Sequence, residues 1–144
     1  MNIRLFLLSL ALLATTTPLA AMENIIKIDE ECVNDIARSC YHPCTLVNVL
    51  ERVRKTCDFR QSLECLQLGL KRAGKSIIDI KNNFGHTTLH IAISTGKTEV
   101  VKLLVALPEA QELAAMSTDK GHTALFYAEY FRRTDFVALL KALF

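Results

Sequence analysis

The chain has 144 residues, 51% of them hydrophobic, with 17 Lys+Arg against 15 Asp+Glu. A formal charge of +2 excludes a strongly basic nucleic-acid binder, which carries a clear excess of Lys and Arg on one face. The length suffices for one domain with a modest core, and no Pro/Gly/Ser-rich linker or low-complexity tract divides it.

Arg4 precedes a mostly apolar run at 5–14. That run is too short to span a bilayer, which needs about 20 apolar residues. Thr15, Thr16, Thr17 and Pro18 break it, and Leu19, Ala20 and Ala21 offer small residues for cleavage. The pattern predicts a secretory signal peptide at 1–21, cut after Ala21 or Ala20. The expected protein is exported, periplasmic or secreted, with no membrane association after cleavage; an uncleaved anchor is the alternative. Losing Arg4 leaves 16 basic against 15 acidic residues, a formal +1.

Cys32, Cys40, Cys44, Cys57 and Cys65 follow, all in the N-terminal half. An exported chain makes disulfides the leading expectation. Cys32 and Cys40 share one spacing with Cys57 and Cys65. On two antiparallel helices this would pair Cys32 with Cys65 and Cys40 with Cys57, because positions i and i+8 lie only about 80° apart around a helix. Cys44 is then left over, and other connectivities stay open. The rival is a zinc site built from Cys40, His42, Cys44 and Cys57. Its spacing matches no finger motif, so no metal or other cofactor is expected. Arg52, Arg54, Lys55 and Arg60 form a local basic cluster, read as a solvated helix face.

Helical spacing places Leu46, Val49, Leu50 and Val53 on one face of a helix at about 45–56, and Leu63, Leu66 and Leu70 on the next. Beyond them the chain repeats itself. Residues 85–107 laid on 121–143 give 11 identities in 23 positions, where about one or two are expected by composition. Gly85 suits a turn needing positive φ, and Thr87 caps a helix that carries Leu89 and Ala92 on one face. Gly96 ends that helix, Thr98 is a good N-cap for the next, and Val100, Val101, Leu103, Leu104 and Leu107 form its stripe. Pro108 stops it.

One unit thus reads turn, short helix, Gly loop, second helix. Gly85, Thr87, Leu89, His90, Ala92, Gly96, Val100, Val101, Leu103 and Leu104 match the ankyrin repeat, which this stretch resembles closely. The second unit keeps Gly121, Thr123, Leu125, Ala128, Val137, Leu139 and Leu140. It places Phe126 at the family's His and Arg132 at the loop Gly. Its longer period puts the surplus in a loop at 108–112. The resemblance implies an all-α, short ankyrin-type helix-turn-helix solenoid with an N-terminal cysteine-containing helical cap. The cap is drawn at 22–62 and the repeats at 63–144, one degenerate and two clear at 82–107 and 118–144.

The resemblance also implies function: binding, scaffolding or inhibiting a protein partner, as ankyrin-like effectors of host-associated bacteria do. In that family the turn tips and the ends of the inner helices form the contact face. Here these are Asn83, Phe84, His86, Ser94 and Thr95, then Asp119, Lys120, His122, Tyr130 and Phe131. Phe84, Tyr130 and Phe131 are anchor candidates, since aromatics dominate binding hot spots. His90 is expected to bond backbone between repeats. No phosphate loop, H-E-x-x-H or nucleophile elbow is present, so no catalytic residue is assigned and an enzyme is not expected. A thiol- or metal-dependent secreted factor centred on the N-terminal cysteines is the alternative. In the last helix Leu139, Leu143 and Phe144 are not expected to hide together, which makes that helix a candidate for self-association.

Overall fold

A computed structural model describes residues 27–144; the leader at 1–21 lies outside them. Helix α1 (Glu30–Ser39) starts at Asp29, whose carboxylate accepts the backbone N–H of Glu31 and Cys32. Helix α2 (Pro43–Thr56) has Pro at its first position, where a missing N–H costs nothing, and His42 as its cap. Helix α3 (Phe59–Ala73) opens with a capping box between Asp58 and Gln61 and ends at Gly74 with φ 65°.

The clear repeats follow the template residue by residue. Helix α4 (Thr88–Thr95) is capped by Thr87 and closed by Gly96 at φ 71°. Helix α5 (Thr98–Val105) buries Val100, Val101, Leu103 and Leu104. Thr98 is its first residue rather than its cap; Lys97 takes the cap position without a side-chain bond. The surplus after Pro108 is not a loop but a short helix, α6 (Ala110–Ala115), because Ala110, Leu113 and Ala114 find buried places. Helix α7 (Ala124–Tyr130), capped by Thr123, and helix α8 (Thr134–Lys141) complete the second unit.

Helices α2, α4 and α7 form an inner column, each touching the next, and α3, α5 and α8 lie behind them. One core runs from Val33 to Leu140 without a break, with Leu46, Leu50, Leu66, Leu89, Ile93, Leu103, Leu104 and Phe136 fully buried. The boundary drawn at 62/63 falls inside α3, and α2 packs against α4. No described helix is long and apolar enough to cross a membrane.

The cap itself is α1 laid on α3, and the two run parallel. Gln61 reaches the Lys27 carbonyl at 3.2 Å, the Cys65 sulfur lies 3.9 Å from the Asp29 carbonyl, and Gly69 faces Val33 and Ile36. A Cβ on Gly69 would meet Ile36 Cγ2 at 2.5 Å, so the glycine sets how closely the helices approach. This direction overturns the antiparallel cysteine arithmetic. Cys40 and Cys57 flank opposite ends of α2, whose 14 residues span about 20 Å. A disulfide needs Cα atoms within about 7 Å, so that bridge does not fit the fold. The quartet Cys40, His42, Cys44 and Cys57 is separated for the same reason, and His42 Nδ1 is already taken by the Cys44 N–H. Cys32 and Cys65 share the other end of the cap with Cys57. All five cysteines carry free thiols in this structure. Burial pushes the Cys40 thiol up to about 11.

Arg54 departs from the solvated face expected of its cluster. Its side chain is only 16% exposed; it bonds Glu99 at 2.9 Å and the Cys57 carbonyl at 2.7 Å, and lies over the Phe59 ring. Arg54 holds the Glu99 carboxyl below its usual range. With Lys97–Glu51 at 3.0 Å, it ties α2 to the first clear repeat. Arg52 does stay exposed, near Asp35.

Candidate functional site: an aromatic face on the last inner helix

The turn before each clear repeat closes in the same way. Asn82 N–H donates to the His86 carbonyl at 3.0 Å, and Thr118 N–H to the His122 carbonyl at 2.9 Å. Gly85 and Gly121 occupy the tips with φ 77° and 80°. The two tips join directly, since Asp119 N–H donates to the Phe84 carbonyl at 3.0 Å. Asn83, Phe84, Asp119 and Lys120 are thereby held out in solvent on a braced edge.

His90 is fully buried and does what the resemblance implied. Its Nδ1 accepts from Thr87, and its Nε2 sits 3.1 Å from the His122 carbonyl of the next unit. Nε2 therefore carries the proton, because a carbonyl only accepts. Burial pushes its pKa down to about 4. It is a structural hinge-pin between repeats, with neither the exposure nor the protonation for acid–base chemistry near neutrality.

His86 is half-buried and engaged: its Nε2 is 2.8 Å from the Tyr127 hydroxyl. His122 stacks on Phe126 with centroids 4.0 Å apart. From these two turn residues an aromatic network spreads along α7. Phe126 stacks on Tyr130 at 6.0 Å, and Tyr127 on Phe131 at 6.2 Å, both pairs one helical turn apart. Tyr130 meets Phe131 edge-on at 5.1 Å, and Phe84 meets His86 at 6.3 Å. Within this network Phe84 (68%), Tyr130 (70%), Phe126 (41%) and Phe131 (40%) remain open to solvent. Each ring pair adds roughly 0.5–1.5 kcal/mol beyond its burial, so the face is stiffened before any partner arrives.

The expected contact residues divide into two groups. Phe84, His86, His122, Tyr130 and Phe131 come together in the network, flanked by Asn83 and Lys120 at the tips. Ser94 and Thr95 do not join it: both hydroxyls bond back to the Ile91 carbonyl, and Thr95 lines a separate recess with Glu51 and Arg54 beside α2. Phe126 and Tyr127 belong to the site and were not assigned to it from the sequence. Their signal was the spacing of Phe126 with Tyr130 and Tyr127 with Phe131. At the last helix Leu139 and Leu143 are half-buried against the core, and Gln111 holds the Leu143 carbonyl. Phe144 alone of the three stands out, at 75% exposure, which removes most of the apolar face expected for self-association.

No curated protein matches the chain. A family model described as ankyrin repeats, in three copies, matches residues 56–143, from the last residue of α2 through α3 and both clear units. The chain belongs to the ankyrin-repeat family, whose repeats are protein-interaction modules.

Proposed function

We propose that this chain is an exported binding protein that grips an apolar segment of a partner protein with the aromatic face of α7 and the first turn tip. One observation carries the reading: Phe84, Phe126, Tyr130 and Phe131 are exposed yet belong to one ring network, Phe84 through His86 and the other three through each other and the half-buried His122 and Tyr127. Pre-ordered aromatic rings lose little entropy on binding, which is why such residues dominate interface energetics. Asn83 and Lys120 supply polar contacts at the rim. Export rests on Arg4, the apolar run at 5–14 and the small residues ending at Ala21.

The test is affinity capture with the wild-type chain and a Phe84→Ala/Tyr130→Ala variant, followed by titration of the captured partner. Loss of two anchors should weaken binding about 30-fold or more. Equal affinity of a variant with unchanged helix content would overturn the assignment of the face. N-terminal sequencing of the cellular fractions tests export separately. A mature chain starting at Met22 or Ala21 outside the cytoplasm is expected; a chain still carrying residues 1–21 inside it counts against export.

A further inference from the structure

The end of the cap opposite Cys40 holds a second arrangement that partner binding does not use. The sulfurs of Cys32 and Cys57 and a carboxylate oxygen of Asp29 all lie within 4.8 Å of one another. The two thiols come from different elements and are held by their own backbones. Cys32 is in the first turn of α1, its N–H on the Asp29 carboxylate at 3.2 Å. Cys57 closes α2, its N–H on the Val53 carbonyl at 2.8 Å and its own carbonyl on Arg54 at 2.7 Å. Cys57 also lines an open surface recess with Asp29, Thr56 and Gln61.

We propose that Cys32 and Cys57 are an oxidisable pair that closes to a disulfide, clamping the first turn of α1 to the corner between α2 and α3. The oxidant is a small disulfide of the glutathione class. The Cys57 thiolate attacks it, the small disulfide's S–S bond breaks, and one thiolate leaves and takes up a proton. The Cys32 sulfur then attacks the mixed disulfide, the bond to the small thiol breaks, and the Cys32 proton goes to the second small thiolate as it leaves. Two protein thiols are oxidised by two electrons, and one small disulfide is reduced to two thiols. Burial and the neighbouring Cys57 push the Cys32 thiol up to about 12, which disfavours it as the sulfur that attacks first.

The same cluster holds zinc less well. A structural zinc site takes four protein ligands, whereas this group has three. One Asp29 carboxylate oxygen is already spent on the N–H groups of Glu31 and Cys32. Cys65 is the competing partner, fully buried with its sulfur on the Asp29 carbonyl.

Tryptic mapping separates the possibilities. Cleavage at Lys and Arg puts Cys32 alone in peptide 28–38, Cys57 alone in 56–60 and Cys65 alone in 61–71. The full chain is equilibrated without denaturant in oxidised glutathione, blocked with an alkylating agent, digested and weighed. The expected product is 28–38 joined to 56–60, with Tm raised by about 10 °C over the reduced chain. Cys40→Ser leaves that link in place, and Cys57→Ser abolishes both the link and the redox dependence of Tm. Each of these mapping results overturns the proposal: 28–38 joined to 61–71, Cys57 trapped as an unresolved glutathione adduct, or both thiols alkylated as free. Retention of one zinc ion per chain with resistance to oxidation overturns it in favour of a metal.

Discussion

The two clear repeats are built on one template and use it differently. In the first, His90 is buried and its Nε2 reaches the His122 carbonyl of the next unit. In the second, Phe126 holds the equivalent place and has no ring N–H to donate to a carbonyl. Phe126 lies 41% exposed and stacks on His122 and Tyr130 instead. The loop shows the same divergence: Gly96 in the first repeat, Arg132 at φ 55° in the second. A position that joins one repeat to its successor is chemically constrained. Phe126 lacks the chemistry for that bond and contributes its ring to the aromatic surface.

Exchanging the two residues gives the largest expected effects. His90→Phe should cost about 4 kcal/mol, because the buried Thr87 hydroxyl and His122 carbonyl both lose a partner and a larger ring must fit a closed site. Phe126→His should stay within about 0.5 kcal/mol of wild type in urea unfolding, since that site is open. Equal losses at the two positions would break the comparison. Acid sharpens it further. The His90 pKa falls from 6.5 to about 4 on folding, chiefly by burial, so the unfolded chain takes up a proton that the folded one refuses. Its contribution is full above pH about 6.5 and lost as pH falls towards about 4, roughly 3 kcal/mol in all. Unfolding curves across that window, with His90→Gln as the subtraction, should recover a loss of this size. The histidine of Phe126→His should add none.

These differences were only partly legible beforehand. The echo between 85–107 and 121–143 carries the stack, because each identity has a local duty: a positive φ, a cap, a buried stripe. The inner and outer helices of the degenerate unit were visible in Leu46, Val49, Leu50 and Val53, and in Leu63, Leu66 and Leu70. The direction of α1 was not, since it depends on tertiary contact. Gly69 beneath Val33 and Ile36 lets α1 lie flat on α3, and a lone glycine inside a helix does not say what approaches it. The Cys40–Cys57 pairing failed with that direction, while Cys32 and Cys65 still share one end of the cap. Arg54 was hidden in a basic cluster because only the fold supplies Glu99 and Phe59 around it. Phe126 and Tyr127 were overlooked for the opposite reason: measured against the template, they read as departures, while their aromatic register with Tyr130 and Phe131 was the informative pattern.

The tip glycines test the same contrast at smaller scale. Both hold positive φ, which costs a side chain about 1 kcal/mol. A Cβ on Gly121 would meet nothing within 4 Å, whereas on Gly85 it would sit 3.0 Å from the Asp119 backbone nitrogen and 2.7 Å from its carboxylate. Gly121→Ala should therefore cost about 1 kcal/mol and Gly85→Ala about 3 kcal/mol, read from denaturant midpoints. Equal costs would mean that the tips yield independently instead of bracing each other.

The smallest effect has the opposite sign. Arg132 is the one non-glycine residue with positive φ among the described residues, in the loop position that Gly96 fills one repeat earlier. Its side chain is exposed, so replacing it removes little packing. Arg132→Gly relieves left-handed strain of roughly 1 kcal/mol and gives part of that back through the freer unfolded chain. A net gain of about 0.5 kcal/mol is expected, seen as a slightly higher Tm. A loss instead would mean that the Arg132 side chain supports the end of α7, where Phe131 stacks on Tyr127. Partner affinity measured on the same variant separates the two cases: strain relief alone leaves the aromatic face as it is, whereas a disturbed helix end weakens binding along with stability.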